Sequence, residues 1–121
     1  MEEIDKTDFI TGKRSVGGRY IHIQADLVTN PIYQDLSFET RIVYGILLDL
    51  TYRKGTRDKR QRRYLVFSSK HLCGITHCGP QKAQKMLADL EEKNLVLRKK
   101  TASGKMHLYV KEYTKVKKHK L

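Results

Sequence analysis

Two histidines and two cysteines, the side chains in this chain best suited to metal binding or catalysis, fall within eight consecutive residues: His71, Cys73, His77 and Cys78. Imidazole and thiolate groups bind zinc, so the cluster could in principle hold a metal ion. Structural zinc sites, however, usually pair cysteines two to four residues apart across a longer loop, and this spacing does not. Cys73 is better interpreted as a small buried residue of a helix. We therefore predict no metal site and no other cofactor.

A cysteine nucleophile is the second chemical possibility, because Cys78 directly follows His77. Nucleophilic catalysis also needs a group that orients the base and a site that stabilises an oxyanion, and the sequence offers no candidate for either. Gly17 and Gly18 precede a predicted strand, whereas a phosphate-binding loop would open a helix. We expect no enzymatic activity and no small-molecule ligand.

A third set of side chains suits the recognition of nucleic acid. Beginning at Pro80, a favoured first residue of a helix, the apolar residues Ala83, Met86, Leu87 and Leu90 fall on one helical face. The remaining surface carries long amides and amines, which can reach base edges and phosphates in a major groove. These polar side chains are Gln81, Lys82, Gln84 and Lys85.

The elements around this helix complete a recognisable plan. Residues 68–96 are predicted to form a short helix, a tight turn and a longer helix that ends at Asn94, a residue suited to a left-handed C-cap. Two predicted strands then flank the turn at residues 101–105, with basic side chains at Arg98, Lys99, Lys100 and Lys105. The pattern predicts an α+β fold, a winged helix-turn-helix with a small antiparallel sheet.

The first half of the chain is predicted to supply the core. Ser37 is a good N-cap for a long helix, which we expect to turn Arg41 and Asp49 toward solvent. Residues 20–23 and 64–67 are interpreted as short strands, and residues 26–31 as a segment leading into a turn at Pro31. The long helix has an apolar stripe of Phe38, Ile42, Val43, Ile46, Leu47 and Leu50.

The charge of the chain is strongly asymmetric. Its 121 residues carry a formal net charge of +12, but residues 1–50 hold 5 basic and 8 acidic residues, and residues 51–121 hold 20 and 5. Such an imbalance favours nucleic acid or anionic lipid as partner. There is no apolar run of the roughly 20 residues that span a bilayer, and the acidic start is unlike a signal peptide. With two cysteines, we expect a reducing, cytoplasmic location and no membrane association.

Residues 53–63 form a basic segment with seven basic residues and one acid. Without apolar residues it cannot pack into a core, so we predict a solvated loop or hairpin tip. It could act simply as a solubilising loop or as an arm that contacts DNA phosphates, and the one-sided charge favours the arm. The candidate contacts are Arg57, Lys59, Arg60, Arg62 and Arg63.

Two blocks, TNPIYQDLSFETRIVYGILLDL and YLVFSSKHLCGITHCGPQKAQKMLADLEEKNLVLRKK, resemble the N-terminal DNA-binding domain of RepA-type replication initiators of Gram-positive plasmids. The resemblance covers roughly residues 19–111. It implies a winged helix, double-stranded DNA as partner, a homodimer and a role in plasmid replication. By motif position, it also assigns DNA contacts to the wing and to His77, Gln81, Lys82, Gln84 and Lys85. Where the family often has a serine after the turn cysteine, this chain has Gly79 and Pro80.

Several alternatives remain open at this stage. We expect an N-terminal arm at residues 1–18, a DNA-binding domain at 19–111 and a basic tail at 112–121. The chain is then either a fragment of a longer initiator or a complete small protein of a mobile element, for example a transfer-origin accessory factor or an operon repressor. RNA or single-strand binding would favour an aromatic stacking platform, whereas the aromatic residues here fall mostly in predicted core elements. A protein-interaction winged helix would not need this charge.

Overall fold

A computed structural model describes residues 20–112. The helices are α1 (Ala25–Thr29), α2 (Phe38–Lys54), α3 (Ser69–Thr76) and α4 (Pro80–Glu92), with a short 3-10 helix at Pro31–Tyr33; the strands are β1 (Thr56–Arg57), β2 (Arg63–Val66), β3 (Val96–Lys100) and β4 (Met106–Val110). The order of these elements confirms the predicted winged helix-turn-helix. The predicted arm at residues 1–18 and the tail beyond residue 112 lie outside the described residues.

The four strands form one antiparallel sheet in the order β1-β2-β4-β3. Leu65 of β2 lies opposite Leu108 of β4, and Val96 of β3 lies opposite Val110. Leu65, Val96 and Leu108 are buried against the helices, so they define the inner face of the sheet. Because side chains alternate along a strand, the residues between them point to the outer face, away from the helical core.

Helix α2 begins as predicted but buries a different face. The Ser37 hydroxyl accepts a hydrogen bond from the Thr40 amide at 3.0 Å, which confirms the N-cap. Val43 and Leu47 are buried as expected, whereas Phe38 is 67% and Ile42 44% exposed. The expected apolar stripe was therefore partly wrong. The hydroxyls of Tyr44 and Thr51 donate to carbonyl oxygens. The other buried residues of the helix are Thr40, Arg41, Tyr44, Gly45 and Thr51.

The expectation that Arg41 faces solvent is wrong. Its side chain is 5% exposed, and its Nη2 donates to the carbonyl oxygen of Tyr33 at 2.7 Å. The guanidinium also lies 4.7 Å from the centre of the exposed Phe38 ring. Buried charged groups need such partners, and the carbonyl at the end of the 3-10 helix provides one. Arg41 thus ties that helix to α2.

The strand predicted at residues 20–23 is also absent from the structure. Residues 20–24 have no regular secondary structure, and the following segment forms the short helix α1. The extended chain instead crosses α2 at Gly45, where a Cβ atom would lie 3.2 Å from Ile23 Cγ1 and 3.4 Å from the His22 carbonyl oxygen. The apolar residues of this segment therefore pack on a helix, which a pattern of alternating residues does not reveal.

Candidate nucleic-acid interface

The turn between α3 and α4 is fixed by its backbone. His77 ends α3 in the left-handed region with φ 58°, and its amide donates to the Cys73 carbonyl oxygen at 2.8 Å. Gly79 is the N-cap of α4 and provides no side-chain hydrogen bond, while Pro80 is the first helical residue, as predicted. The first-turn amides of α4 therefore lack a side-chain cap. Such a helix N-terminus favours anions, including phosphates.

The polar surface of α4 presents amides and amines as expected. Gln81 and Gln84 are exposed, and neither side chain has a hydrogen-bond partner within residues 20–112. Lys82 Nζ lies 2.7 Å from Glu39 Oε1 of α2, and Lys85 Nζ lies 3.1 Å from the Asp89 carboxylate one turn later. Both ion pairs are exposed, and exposed pairs of this kind contribute about 0–1 kcal/mol. A phosphate could therefore replace either carboxylate at little cost.

The C-terminal end of α4 holds the helix in place on the sheet. Asn94 adopts φ 63°, as predicted for a left-handed cap. The amide of Leu95 donates to the Leu90 carbonyl oxygen at 2.9 Å, and that of Asn94 donates to Glu91 at 3.0 Å, which together form a Schellman motif. Ala83, Met86, Leu87 and Leu90 are buried as predicted. This packing leaves the N-terminal half of α4 to project its polar side chains.

The wing separates its basic residues into two groups. Lys99, Lys100 and Lys105 are exposed, with no acidic partner in the part of the chain that the structure describes. Arg98 instead turns toward α4, where its Nη2 lies 3.0 Å from Glu91 Oε1 and its amide donates to the other carboxylate oxygen. Burial would raise the pKa of Glu91, but the Arg98 amide and guanidinium hydrogen bonds outweigh it and lower the pKa. Arg98 would have to leave this pair to contact DNA.

Most of the basic segment forms a hairpin, which was one of its two predicted forms, whereas residues 53–54 are not in a loop and end helix α2. We call residues 56–66, which comprise β1, a turn and β2, the basic hairpin. Asp58 organises its turn, because Oδ1 accepts from the amides of Arg60 at 2.8 Å and Arg62 at 2.9 Å. Its Oδ2 accepts from Arg62 Nε at 2.9 Å and from the hydroxyl of Tyr109 at 3.1 Å. Burial alone would raise the pKa of Asp58, but these hydrogen bonds lower it to about 2.

The basic side chains of this hairpin differ in what they contact. Arg63 is directed inward, with Nη1 donating to the Tyr52 carbonyl oxygen at 2.7 Å. Arg62 pairs with Asp58, and Arg57 Nη1 donates to the side-chain oxygen Oε1 of Gln61 at 3.4 Å. Lys59 and Arg60 are exposed, and within residues 20–112 their side chains have no partner.

A shallow groove of about 510 Å³ joins the hairpin to the wing, and this feature was missed in the sequence. Three aromatic rings line it, with the ring centres of Tyr64 and His107 4.1 Å apart and those of Tyr64 and Tyr109 5.6 Å apart. The alternation Met-His-Leu-Tyr-Val in β4 could have revealed it, since Leu108 points into the core and its neighbours point away. The charged and polar lining residues are Arg57, Asp58, Lys59, Arg60, Arg62, Lys99 and Thr101.

Three of the four histidines and cysteines considered for chemistry have structural contacts. His71 Nδ1 lies 3.0 Å from both the amide and the hydroxyl of Ser68 in a capping box that begins α3. Cys73 and Cys78 are partly buried against the core, and burial raises the pKa of the Cys73 thiol. Within residues 20–112, no three potential metal ligands are grouped around one point. In the same range, no helix combines the length and apolar character that crossing a membrane requires.

Comparisons with known proteins place this geometry in context. The family model described as Replication initiator protein A (RepA) N-terminus matches residues 19–121. A structure of a Rep-DNA complex and one of the N-terminal domain of a DNA-binding protein each superpose with TM-score 0.69 at 25% identity, covering 84% of this chain and 86% of theirs. A structure of an MDR initiator gives TM-score 0.66 at 26% identity, with coverages of 85% and 90%. No curated protein sequence matches the chain.

Proposed function

Because the chain belongs to the family of replication initiator protein A (RepA) N-termini, we propose that it binds double-stranded DNA at a specific plasmid site in the initiation of plasmid replication. The N-terminal half of α4 is the observation that carries this function. There the unpartnered amides of Gln81 and Gln84 lie beside a helix N-terminus without a side-chain cap. A glutamine amide can pair with both N6 and N7 of adenine, while free backbone amides bind phosphate.

In this account the polar side of α4 enters the major groove. Gln81 and Gln84 read base edges, and Lys82 and Lys85 exchange their exposed carboxylate partners for phosphates. His77 stands at the turn that precedes the helix, exposed and in a left-handed conformation, where it is suited to a backbone contact. Base contacts supply specificity and phosphate contacts fix the register.

The wing and the basic hairpin act on the backbone. Lys99, Lys100 and Lys105 have no acidic partner in the described chain, so their charges are available to phosphates. In the hairpin, Lys59 and Arg60 are available in the same way and extend the contact beyond the footprint of α4. Each phosphate neutralised releases counterions, so binding by these residues should weaken steeply as salt increases.

We propose that this activity needs neither catalysis nor a cofactor, and that it takes place in the cytoplasm. The side chains on the interface are amides and amines, which bind DNA without chemical change. Membership of the initiator family favours replication over conjugative transfer or operon repression, either of which would use the same duplex-binding surface.

A homodimer is the form we propose for the bound protein. Phe38 and Ile42 lie one turn apart on α2 and are 67% and 44% exposed, so they form an apolar surface suited to a second copy. Sedimentation equilibrium should give a dimer for the unaltered chain and a larger monomer fraction for Ile42→Gln. Dimerisation that is insensitive to this change would place the interface elsewhere.

A footprint on plasmid-origin DNA tests the proposed function. At physiological salt, the chain should protect a discrete segment of its origin and no segment of a random duplex of equal length. Uniform protection of both duplexes would mean that the chain binds DNA without specificity.

A further inference from the structure

The outer face of the sheet presents aromatic rings together with basic residues. Tyr64 of β2 and His107 and Tyr109 of β4 are partly exposed and line one groove. The rings of Tyr64 and His107 are nearly parallel, with an angle of 16° between their planes. None of these rings contributes to the buried core. Neither base reading by α4 nor phosphate binding by the wing requires these rings.

The groove has an excess of positive charge. Its acid, Asp58, is occupied by Arg62, by two backbone amides and by the Tyr109 hydroxyl. The cations of Lys59, Arg60 and Lys99 have no acidic partner within residues 20–112. Since they surround the ring cluster, an occupant should combine several negative charges with flat, stackable groups.

The accessibility of the bases distinguishes between the nucleic acids that meet this description. The volume of about 510 Å³ falls in the roughly 300–1,000 Å³ range of small-molecule sites, so the groove has room for a nucleotide. In a duplex the bases are stacked on each other and cannot reach a protein ring. Unpaired bases can stack on aromatic side chains while cations hold their phosphates.

We infer that this groove binds single-stranded DNA. The inference rests on the proposed function, because the strand would come from the origin that the chain recognises as a duplex. The sheet separates the two sites, since α4 packs on its inner face and the groove lies on its outer face. The phosphates that Lys59, Arg60 and Lys99 contact are then those of the single strand, and Lys100 and Lys105 of the wing contact the duplex.

The first experiment uses the unaltered chain and two labelled oligomers of equal length and charge. One is oligothymidylate, and the other is an abasic oligomer with the same number of phosphates. Fluorescence anisotropy at physiological salt should give an affinity for oligothymidylate at least tenfold higher than for the abasic oligomer, since stacking depends on bases. Equal affinities would overturn the inference, because they would mean that only phosphates are bound.

Variants test which rings are responsible. His107→Leu and Tyr64→Leu should each weaken oligothymidylate binding at least fivefold and leave abasic binding unchanged. Tyr52→Leu is the matched control, because Tyr52 is 51% exposed but does not line the groove. If His107→Leu and Tyr64→Leu, folded as judged by circular dichroism, bind oligothymidylate as the control does, the groove is not the site.

Measuring how the same variants bind duplex DNA separates a test of this inference from a test of the proposed function. Binding of the origin duplex should be unaffected by the two ring substitutions and reduced by Gln81→Ala. Loss of duplex specificity with the stacking result intact would count against the proposed function alone. Ring substitutions that weaken duplex and single strand equally would contradict a separate single-strand site.

Discussion

The carboxylate of Asp58 accepts a hydrogen bond from the hydroxyl of Tyr109 at 3.1 Å, so an acid of the basic hairpin is fastened to a ring of the wing strand β4. Residues 51 positions apart in the chain are thereby joined. The contact holds the hairpin across the outer face of the sheet, and the guanidinium of Arg62 lies 5.3 Å from the same ring. The hairpin is therefore part of the folded domain, although its sequence has few apolar residues.

Replacing this acid should make the stability of the domain less dependent on pH. The folded pKa of Asp58, about 2, lies below the usual value near 4, so the ionised carboxylate stabilises the folded state above pH 4. The stabilisation is lost as the pH falls from about 4 to about 2. At pH 6, Asp58→Asn should therefore have a lower Tm than the unaltered chain. The difference should shrink over that acidic range.

Thermal unfolding at pH 6, 4 and 2 checks this dependence. Glu92→Gln, which removes an exposed carboxylate at the end of α4, is the control and should leave the Tm close to that of the unaltered chain. A constant difference between Asp58→Asn and the unaltered chain from pH 6 to pH 2 would show that the effect is not linked to ionisation.

The hairpin cations should divide into structural and binding groups. Lys59→Ser combined with Arg60→Ser should leave Tm unchanged, because neither side chain has a partner in the described range. Arg62→Ser should lower the free energy of unfolding slightly, by no more than about 1 kcal/mol for an exposed pair. Urea titrations of the double variant and of Arg62→Ser measure these changes in the free energy of unfolding. A large destabilisation by the double change would mean that these side chains have contacts absent from this structure.

Removing the buried Arg41 should lower the free energy of unfolding more than removing an exposed arginine. Arg41→Ala deletes the hydrogen bond from a buried, charged guanidinium to the Tyr33 carbonyl oxygen, which should cost about 1.5–3 kcal/mol of unfolding free energy. Arg53→Ala on the same helix removes only an exposed pair with Asp49 and should cost less than about 1 kcal/mol. Equal losses in chemical denaturation would refute the structural role of Arg41.

Salt dependence tests the wing. Lys100→Ala and Lys105→Ala should each reduce the slope of log K against log salt by about 0.9 on any duplex, as expected for one lost phosphate contact. Lys93→Ala is a charge-matched control, because Lys93 lies at the C-terminal end of α4 and pairs with Asp35 at 2.9 Å. The control should leave the slope unchanged. Slopes that do not change for the wing variants would mean that the wing is turned away from DNA.

The local signals in the sequence were sufficient for the helix-turn-helix and the wing. Pro80 and Asn94 mark the two ends of α4, and its apolar spacing gives its buried face. Each of these features depends on residues within a few positions of one another, so propensity and period are enough. The winged-helix architecture followed from the order of these elements.

The sequence was insufficient where distant residues decide the structure. Arg41 looks like a surface residue until the Tyr33 carbonyl is placed beside it. The extended segment before α1 contains apolar residues that suit a strand, yet Gly45 lets them cross a helix. The aromatic groove depends on the pairing of β2 with β4, which brings Tyr64 against His107 from 43 positions away. Local patterns in a single sequence do not reveal such long-range pairings.

Specific reading of DNA by α4 is the central claim, and the affinity of Gln81→Ala for two duplexes tests it most directly. Binding of the plasmid-origin duplex and of a random duplex should be measured at the same salt for this variant, for Gln84→Ala and for Gln34→Ala. Gln34 is an exposed glutamine next to Asp35, near the opposite end of α4. We expect each of the first two changes to cost about 1–3 kcal/mol on the origin and little on random DNA, with Gln34→Ala neutral on both. Equal losses on both duplexes, or none on either, would contradict base reading by this helix.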